Sequence, residues 1–261
     1  MLGRIRKGVG VLAVSSLAVC AMGGARDAVA AELKVLSGGA VKAALTELAE
    51  TWGRETGNRV TITYATTGAS LQKFAAGEPA DVVVLTTEAI DQLAAKGTVI
   101  AGTRADVARV GIGVAVRAGS PQPDISTPEA VKRTVLAAKS IAYMDPSKGG
   151  TSGIHFTRVL EEMGIAAAVK PKAVLVDTGF AAERVAKGEA EIVVHQISEI
   201  LPVKGVTLVG PLPRQIQKVT VYAAAVTTKS EVRDAATALI AYLTAPAARP
   251  KFAAVGLDYR E

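Results

Sequence analysis

Short apolar runs alternate along this chain with stretches whose apolar residues recur every three or four positions, and no other feature limits the fold as much. LKVL at 33–36, RVTITY at 59–64 and DVVVL at 81–85 have the length and β-branched content of strands. Between the first two, Val41, Ala44, Leu45, Leu48 and Trp52 fall on one face of a predicted helix, and a shorter helix over 71–76 separates the second strand from the third. This is the βαβαβ alternation of an open parallel sheet. The pattern then restarts. Strands are predicted at 110–116 (VGIGVAV), 140–143, 173–175, 192–195, 206–209 and 219–226 (VTVYAAAV), with helices over 154–163, 181–187 and 230–243. No fixed-period repeat accompanies the alternation, so it predicts two similar α/β halves and not a solenoid.

The first thirty residues follow a different rule. Arg4, Arg6 and Lys7 precede an apolar run rich in Ala, Gly and Ser, and Ala28 and Ala30 supply small residues at −3 and −1 of a signal-peptidase site. Cleavage is predicted after Ala30. The apolar run is shorter than the roughly 20 residues a membrane anchor needs, so the mature chain is expected to be exported and not embedded in a membrane. The single cysteine, Cys20, lies in this leader, which leaves no disulfide, thiolate metal site or thiol nucleophile. Removing the leader lowers the formal net charge from +6 to +3. That is a mildly basic surface without the clustered Lys, Arg and aromatic residues of a nucleic-acid binder.

Four strand-to-helix junctions share one chemistry. Ser37, Gly38 and Gly39 follow the first strand, and Thr66, Thr67 and Gly68 follow the second. In the second half, DPSKGGTSG at 145–153 contains Lys148, Gly150, Thr151 and Ser152, and Asp177, Thr178 and Gly179 stand at the fourth junction. One such turn is usually a simple helix N-cap. Four in matched halves point to an anion site, because helix-initial N–H groups lack intrahelical partners, the dipole is positive there, and such loops gather at the carboxyl ends of the strands. No GxxxxGK[ST] motif is present and no GxGxxG opens a helix, which excludes the standard nucleotide cradles. Arg109, Lys148, His155 and His195 are candidate carboxylate partners. Ser152 sits in TSGI and not in a GxSxG elbow, and the two histidines lack an HExxH or CxxC context, so neither a serine hydrolase nor a metal centre or other cofactor is expected.

LSGGAVKAALTELAETW, YATTGASLQKFAAGEPADVVVL and GFAAERVAKGEAEIVV resemble the corresponding segments of periplasmic solute-binding proteins of ABC transporters, in the molybdate-binding-like branch. The resemblance covers residues 32–257 and implies a type II, two-lobed α/β fold, each lobe a mostly parallel sheet flanked by helices. The lobes would comprise residues 31–112 with 222–261, and 113–221, joined by crossover strands at 110–116 and 219–226. It implies a periplasmic monomer that closes over a small anion and serves an ABC transporter permease. Ser37 and Thr67 would present hydroxyls from one lobe, and Thr151, Ser152 and the strand end at His195 and Gln196 would face them from the other. Where molybdate binders carry an AAASL-like turn this chain reads SGGAV, and where they carry a tyrosine-bearing segment it reads VHQISEI. The resemblance therefore carries an anion, oxyanion or carboxylate, and not molybdate in particular. The same branch includes isomerases of small tricarboxylates, such as aconitate isomerase. That alternative would need a base for an allylic proton shift, for which His155, His195 and Lys148 are the candidates.

Overall fold

The computed structural model describes Met1, Gly3 and residues 30–258. The leader, with Cys20, thus falls almost wholly outside the described residues. In chain order the elements begin β1 (Glu32–Gly38), α1 (Lys42–Thr56), β2 (Arg59–Ala65), α2 (Thr67–Ala75), β3 (Val82–Thr86), α3 (Thr87–Ala95) and β4 (Ala105–Val110). They continue with β5 (Ile112–Arg117), α4 (Pro128–Ala137), β6 (Ile141–Met144), α5 (Thr151–Glu162), α6 (Ala166–Val169), β7 (Ala173–Val176), α7 (Ala182–Ala186), β8 (Ile192–Gln196), α8 (Ile197–Ile200) and β9 (Val206–Pro211). The chain ends with β10 (Thr220–Val226), α9 (Arg233–Thr244) and α10 (Arg249–Ala254). None of the helices among the described residues is long and apolar enough to cross a membrane.

Two five-stranded sheets result, ordered β2-β1-β3-β10-β4 and β7-β6-β8-β5-β9. In the first, β1 pairs in parallel with β2 and β3, while β10 is antiparallel to both β3 and β4. The second repeats this with β5 as its inverted strand, antiparallel to β8 and β9. Each sheet is therefore mostly parallel, with one reversed strand in the same place.

The reversed strands come from the two passages between sheets. The run at 110–116, expected to be one strand, is broken at Gly111: Val110 pairs with Thr220 in the first sheet and Ile112 with Gln196 in the second. The Gly111 carbonyl instead accepts from the Ile197 N–H at 3.0 Å. The strand expected at 219–226 lies wholly in the first sheet, and the return passage precedes it. Gln217 ties the two passages together, its side-chain amide accepting from the Ile112 N–H and donating to the Ile112 carbonyl, both at 2.8 Å.

The packing follows the alternation in the sequence. Buried Ala44, Leu45, Leu48 and Trp52 of α1 join Leu239 and Ile240 of α9 against one face of the first sheet, while Ile90 and Leu93 of α3 meet Leu36, Val83 and Leu85 on the other. In β3, Val82, Val83, Val84 and Leu85 are all fully buried, as a central strand covered on both faces requires. Under α5 in the second sheet, Phe156 meets Tyr143 edge to face, with ring centroids 5.2 Å apart. Helices α2, α3 and α4 start on Thr66, Thr86 and Thr127, whose side chains each accept from a backbone N–H three residues on. Helix α5 starts on Gly150, which has no side chain to do this.

Candidate functional site

All four strand-to-helix junctions open on one cavity of about 300 Å³ between the two sheets. Gly39 and Lys42 enter it from the first junction, Thr66 and Thr67 from the second, Gly150, Thr151 and Ser152 from the third, and Thr178 and Phe180 from the fourth. Open α/β sheets gather their loops at strand carboxyl ends, and two sheets facing one another here double the effect.

Two kinds of donor face the cavity. The Thr67 hydroxyl is buried and makes no hydrogen bond among the described residues; it lies beside the Tyr222 phenol but outside bonding geometry with it. A buried donor left in that state costs about 1–3 kcal/mol unless something accepts from it. The uncapped first turn of α5 offers backbone N–H groups at the positive end of a twelve-residue helix.

The cation of the site is Lys42. Its Nζ lies 5.6 Å from the Tyr64 ring centroid and 5.9 Å from that of Phe180, so it spans the two halves of the molecule. Lys42 was not legible in the sequence, since it lies beside the apolar positions that mark the helix and outside the glycine and hydroxyl turn.

Several expected residues stand just behind the wall. Ser37 is buried, with its hydroxyl donating to the Gly38 carbonyl at 3.1 Å. Gly38 lies under Tyr222, whose ring a β-carbon there would meet at 2.8 Å. Gln196 donates to Thr151 Oγ1 at 2.7 Å and accepts from the Tyr222 hydroxyl at 3.1 Å. His195 Nδ1 lies 3.0 Å from Ser152 Oγ. These residues orient the wall and do not form it.

Gly68 joins the two halves beside Thr66. Its N–H donates to the Gly149 carbonyl at 3.2 Å, Thr66 Oγ1 donates to the Lys148 carbonyl at 2.6 Å, and a β-carbon on Gly68 would stand 2.7 Å from the Gly149 Cα. Gly149 itself has φ of 72°, a left-handed conformation that glycine adopts without strain. The two halves thus touch backbone to backbone at this point.

Three expected residues are not brought to the cavity. Lys148 contributes its carbonyl to the contact with Thr66, but its side chain is not part of the cavity wall. Arg109 is exposed on β4, its N–H bonded to the Leu257 carbonyl at 3.1 Å. His155 points away along α5, where its Nε2 donates to the Ile216 carbonyl at 2.8 Å.

Glu199, which sequence reasoning missed, is the remaining ionisable group in a buried position on the wall. It is 8% exposed, and a β-carbon on Gly39 would stand 2.9 Å from its Oε1. Loss of water pushes its pKa up to about 8, so at neutral pH it is mainly the uncharged acid and does not repel an anion. Burial moves His195 the other way, to about 3. With both groups neutral, the 3.5 Å approach of His195 Nε2 to Glu199 Oε2 is a dipolar contact and not an ion pair. Burial also raises the Tyr222 phenol, with the neighbouring Glu199 adding to the shift. No spacing rule in the sequence marks Glu199, because His195 lies in strand β8 and Glu199 in helix α8, so their approach depends on the turn between the two elements.

A family model described as bacterial extracellular solute-binding protein matches residues 33–258. The chain is 37% identical over 217 residues to a Pseudomonas sp. protein named aconitate isomerase, covering 81% of each. Among solved structures, the Azotobacter vinelandii periplasmic molybdate-binding protein superposes with a TM-score of 0.74 at 20% identity, covering 88% of this chain and 100% of that one. The sulfate-binding protein SubI from Mycobacterium tuberculosis H37Rv gives 0.68 at 16%, covering 87% and 86%.

Proposed function

The chain belongs to the bacterial extracellular solute-binding protein family and has the type II periplasmic binding fold, and on that premise we propose that its cleft holds a small organic anion with more than one carboxylate. The observation that carries this reading is the unpartnered Thr67 hydroxyl, set with the uncapped α5 turn and Lys42 around one cavity. Hydroxyl and N–H donors serve any oxyanion. A cation reaching in from the side suits a ligand with a second charged end.

Binding would work by closure. The first sheet, with residues 30–110 and 220–258, would form one lobe and the second, with residues 112–211, the other, moving about Gly111 and the return passage before β10. A ligand that bridges Thr67 and the α5 turn does so only when the lobes are together, and it favours that state by its differential affinity. In this reading the mature protein begins after Ala30, acts as a periplasmic monomer and releases its cargo to an ABC transporter permease.

A second reading, isomerisation of the bound anion, is favoured by the 37% identity to a protein named aconitate isomerase. Calorimetric titration with molybdate, sulfate, citrate, cis-aconitate and trans-aconitate, followed by NMR of each recovered organic ligand, separates the two. Cargo returned unchanged supports a receptor; conversion of one aconitate to the other supports an enzyme. Tight binding of molybdate or sulfate alone would overturn the carboxylate assignment.

Thr67→Val is expected to weaken the ligand by roughly 5- to 150-fold, about 1–3 kcal/mol, with the melting temperature little changed. Unaltered affinity in this variant would place the anion elsewhere.

A further inference from the structure

We propose that the Glu199 carboxyl is a catalytic proton carrier in this cleft, taking a proton from one carbon of a bound unsaturated polycarboxylate and returning it two carbons away, with His195 as its positioning residue. The inference rests on the reading that the cleft holds such an anion.

Glu199 differs from the other ionisable groups of the wall in being both enclosed and uncommitted. Lys42 and Glu183 are exposed, the Tyr222 phenol donates to Gln196, and the Tyr64 hydroxyl is 2.8 Å from Thr46 Oγ1. Glu199 Oε1 lies over Gly39, where only the absence of a side chain leaves room for it, and Oε2 faces His195. The carboxyl thus stands at the cavity wall between half-buried Gly39 and buried His195, whose Nε2 is 3.5 Å away and makes no hydrogen bond among the described residues.

His195 is suited to both protonation states. With its hydrogen on Nε2 it offers a donor to the carboxylate while Nδ1 accepts from Ser152. With the hydrogen on Nδ1, donated to Ser152, Nε2 faces the acid form as an acceptor. A change of tautomer lets one neutral ring follow the proton on Glu199.

The step balances without a co-reactant. The Glu199 carboxylate takes a proton from the saturated carbon, and the C–H electron pair becomes the new double bond. The old double-bond pair moves to the far carbon, which takes the proton from the Glu199 acid and restores the carboxylate. Charge developing on the ligand faces the Thr67 hydroxyl, the α5 N–H groups and Lys42.

Because the carboxylate starts the cycle, the rate is expected to rise about tenfold per pH unit and to level off near pH 8, where Glu199 titrates. The groups facing it are His195 of β8, Tyr222 of β10 and Lys42 at the start of α1, with Glu183 on the same cavity; Arg117 of β5 is turned to Gly188 and the Ala186 carbonyl. β9 carries no ionisable side chain.

The test is proton NMR of cis- and trans-aconitate in D2O with the mature protein, at ligand concentrations shown by calorimetry to saturate it, between pH 6 and 9. Deuterium should enter at carbon, the isomers should interconvert, and Glu199→Gln should slow both at least a hundredfold. His195→Phe should move the inflection above pH 8 and lower the rate at pH 7 about tenfold, a shift that loss of packing alone does not produce. Binding with neither interconversion of the isomers nor deuterium uptake overturns the proton transfer and leaves the binding reading intact. No binding of either isomer overturns that reading and this inference with it. Exchange by Glu199→Gln at the wild-type rate excludes Glu199. If that variant does not melt cooperatively, Glu199→Asp replaces it, and a wild-type rate without an inflection near pH 8 is enough to reject the assignment.

Discussion

Replacing Gly153 with alanine is expected to lower the stability of the protein by about 3 kcal/mol, near the upper end for an overpacked core, and its melting temperature by about 10 °C. A β-carbon there would stand 1.8 Å from the Met144 carbonyl oxygen and 2.7 Å from its carbon, and both atoms are backbone at the end of β6. No side-chain rotation relieves such a contact. The first turn of α5 must lift from the sheet, carrying Gly150, Thr151 and Ser152 away from the cavity, so affinity should fall with stability. Gly102→Ala is the control, because nothing among the described residues lies within 4 Å of its added carbon. Urea titration and calorimetry of both variants check the expectation; a Gly153→Ala protein as stable as wild type would mean that α5 does not dock as described.

The second large effect is on pH. Unfolded, Glu199 gives up its proton near 4.5 and His195 near 6.5, whereas burial in the fold moves them to about 8 and about 3. Between pH 3 and 4.5 only His195 binds more protons in the unfolded chain, so stability rises with pH. From 4.5 to 6.5 the two slopes cancel. Between 6.5 and 8 the fold retains a proton on Glu199 that the unfolded chain has lost, and stability falls by about 2 kcal/mol, or about 4–8 °C. Melting curves should therefore show a plateau around pH 5–6 and a decline towards pH 8 that Glu199→Gln removes. A decline of the same size in Glu199→Gln would assign it to other groups.

Where local chemistry decides structure, the sequence was legible. The apolar spacing of residues 41–52 became the buried face of α1, and the expected strands at 33–36, 59–64 and 81–85 lie within a residue or two of β1, β2 and β3. Helix α4 was overlooked despite the Thr127–Pro128 start signal, and α3 because its nine residues carry too short an apolar face to show a period. Strand direction was harder: nothing in VTVYAAAV states that it runs against its neighbours, since that is fixed by where the chain re-enters the sheet. The site divides in the same way. Its glycine and hydroxyl turns were visible because they sit at strand ends, and eight residues of those turns line the cavity: Gly39, Thr66, Thr67, Gly150, Thr151, Ser152, Thr178 and Gly179. Lys42, Glu199 and Tyr222 were not, because contacts between the sheets, and not residue type, make them part of one wall.

The placement of β10 between β3 and β4 has a consequence for the order in which the molecule assembles. The second sheet is drawn from a continuous stretch, 112–211, and can be completed as soon as that stretch exists. The first cannot. Val82 waits for Val226, and until the strand carrying Val226 arrives β3 has an open edge and β4 has no partner in the sheet. Contacts so distant along the chain close slowly and leave apolar strand edges bare in the meantime. The half that begins the polypeptide is thus the last to finish, and a chain cut short before residue 220 should yield one formed half attached to an unfinished one.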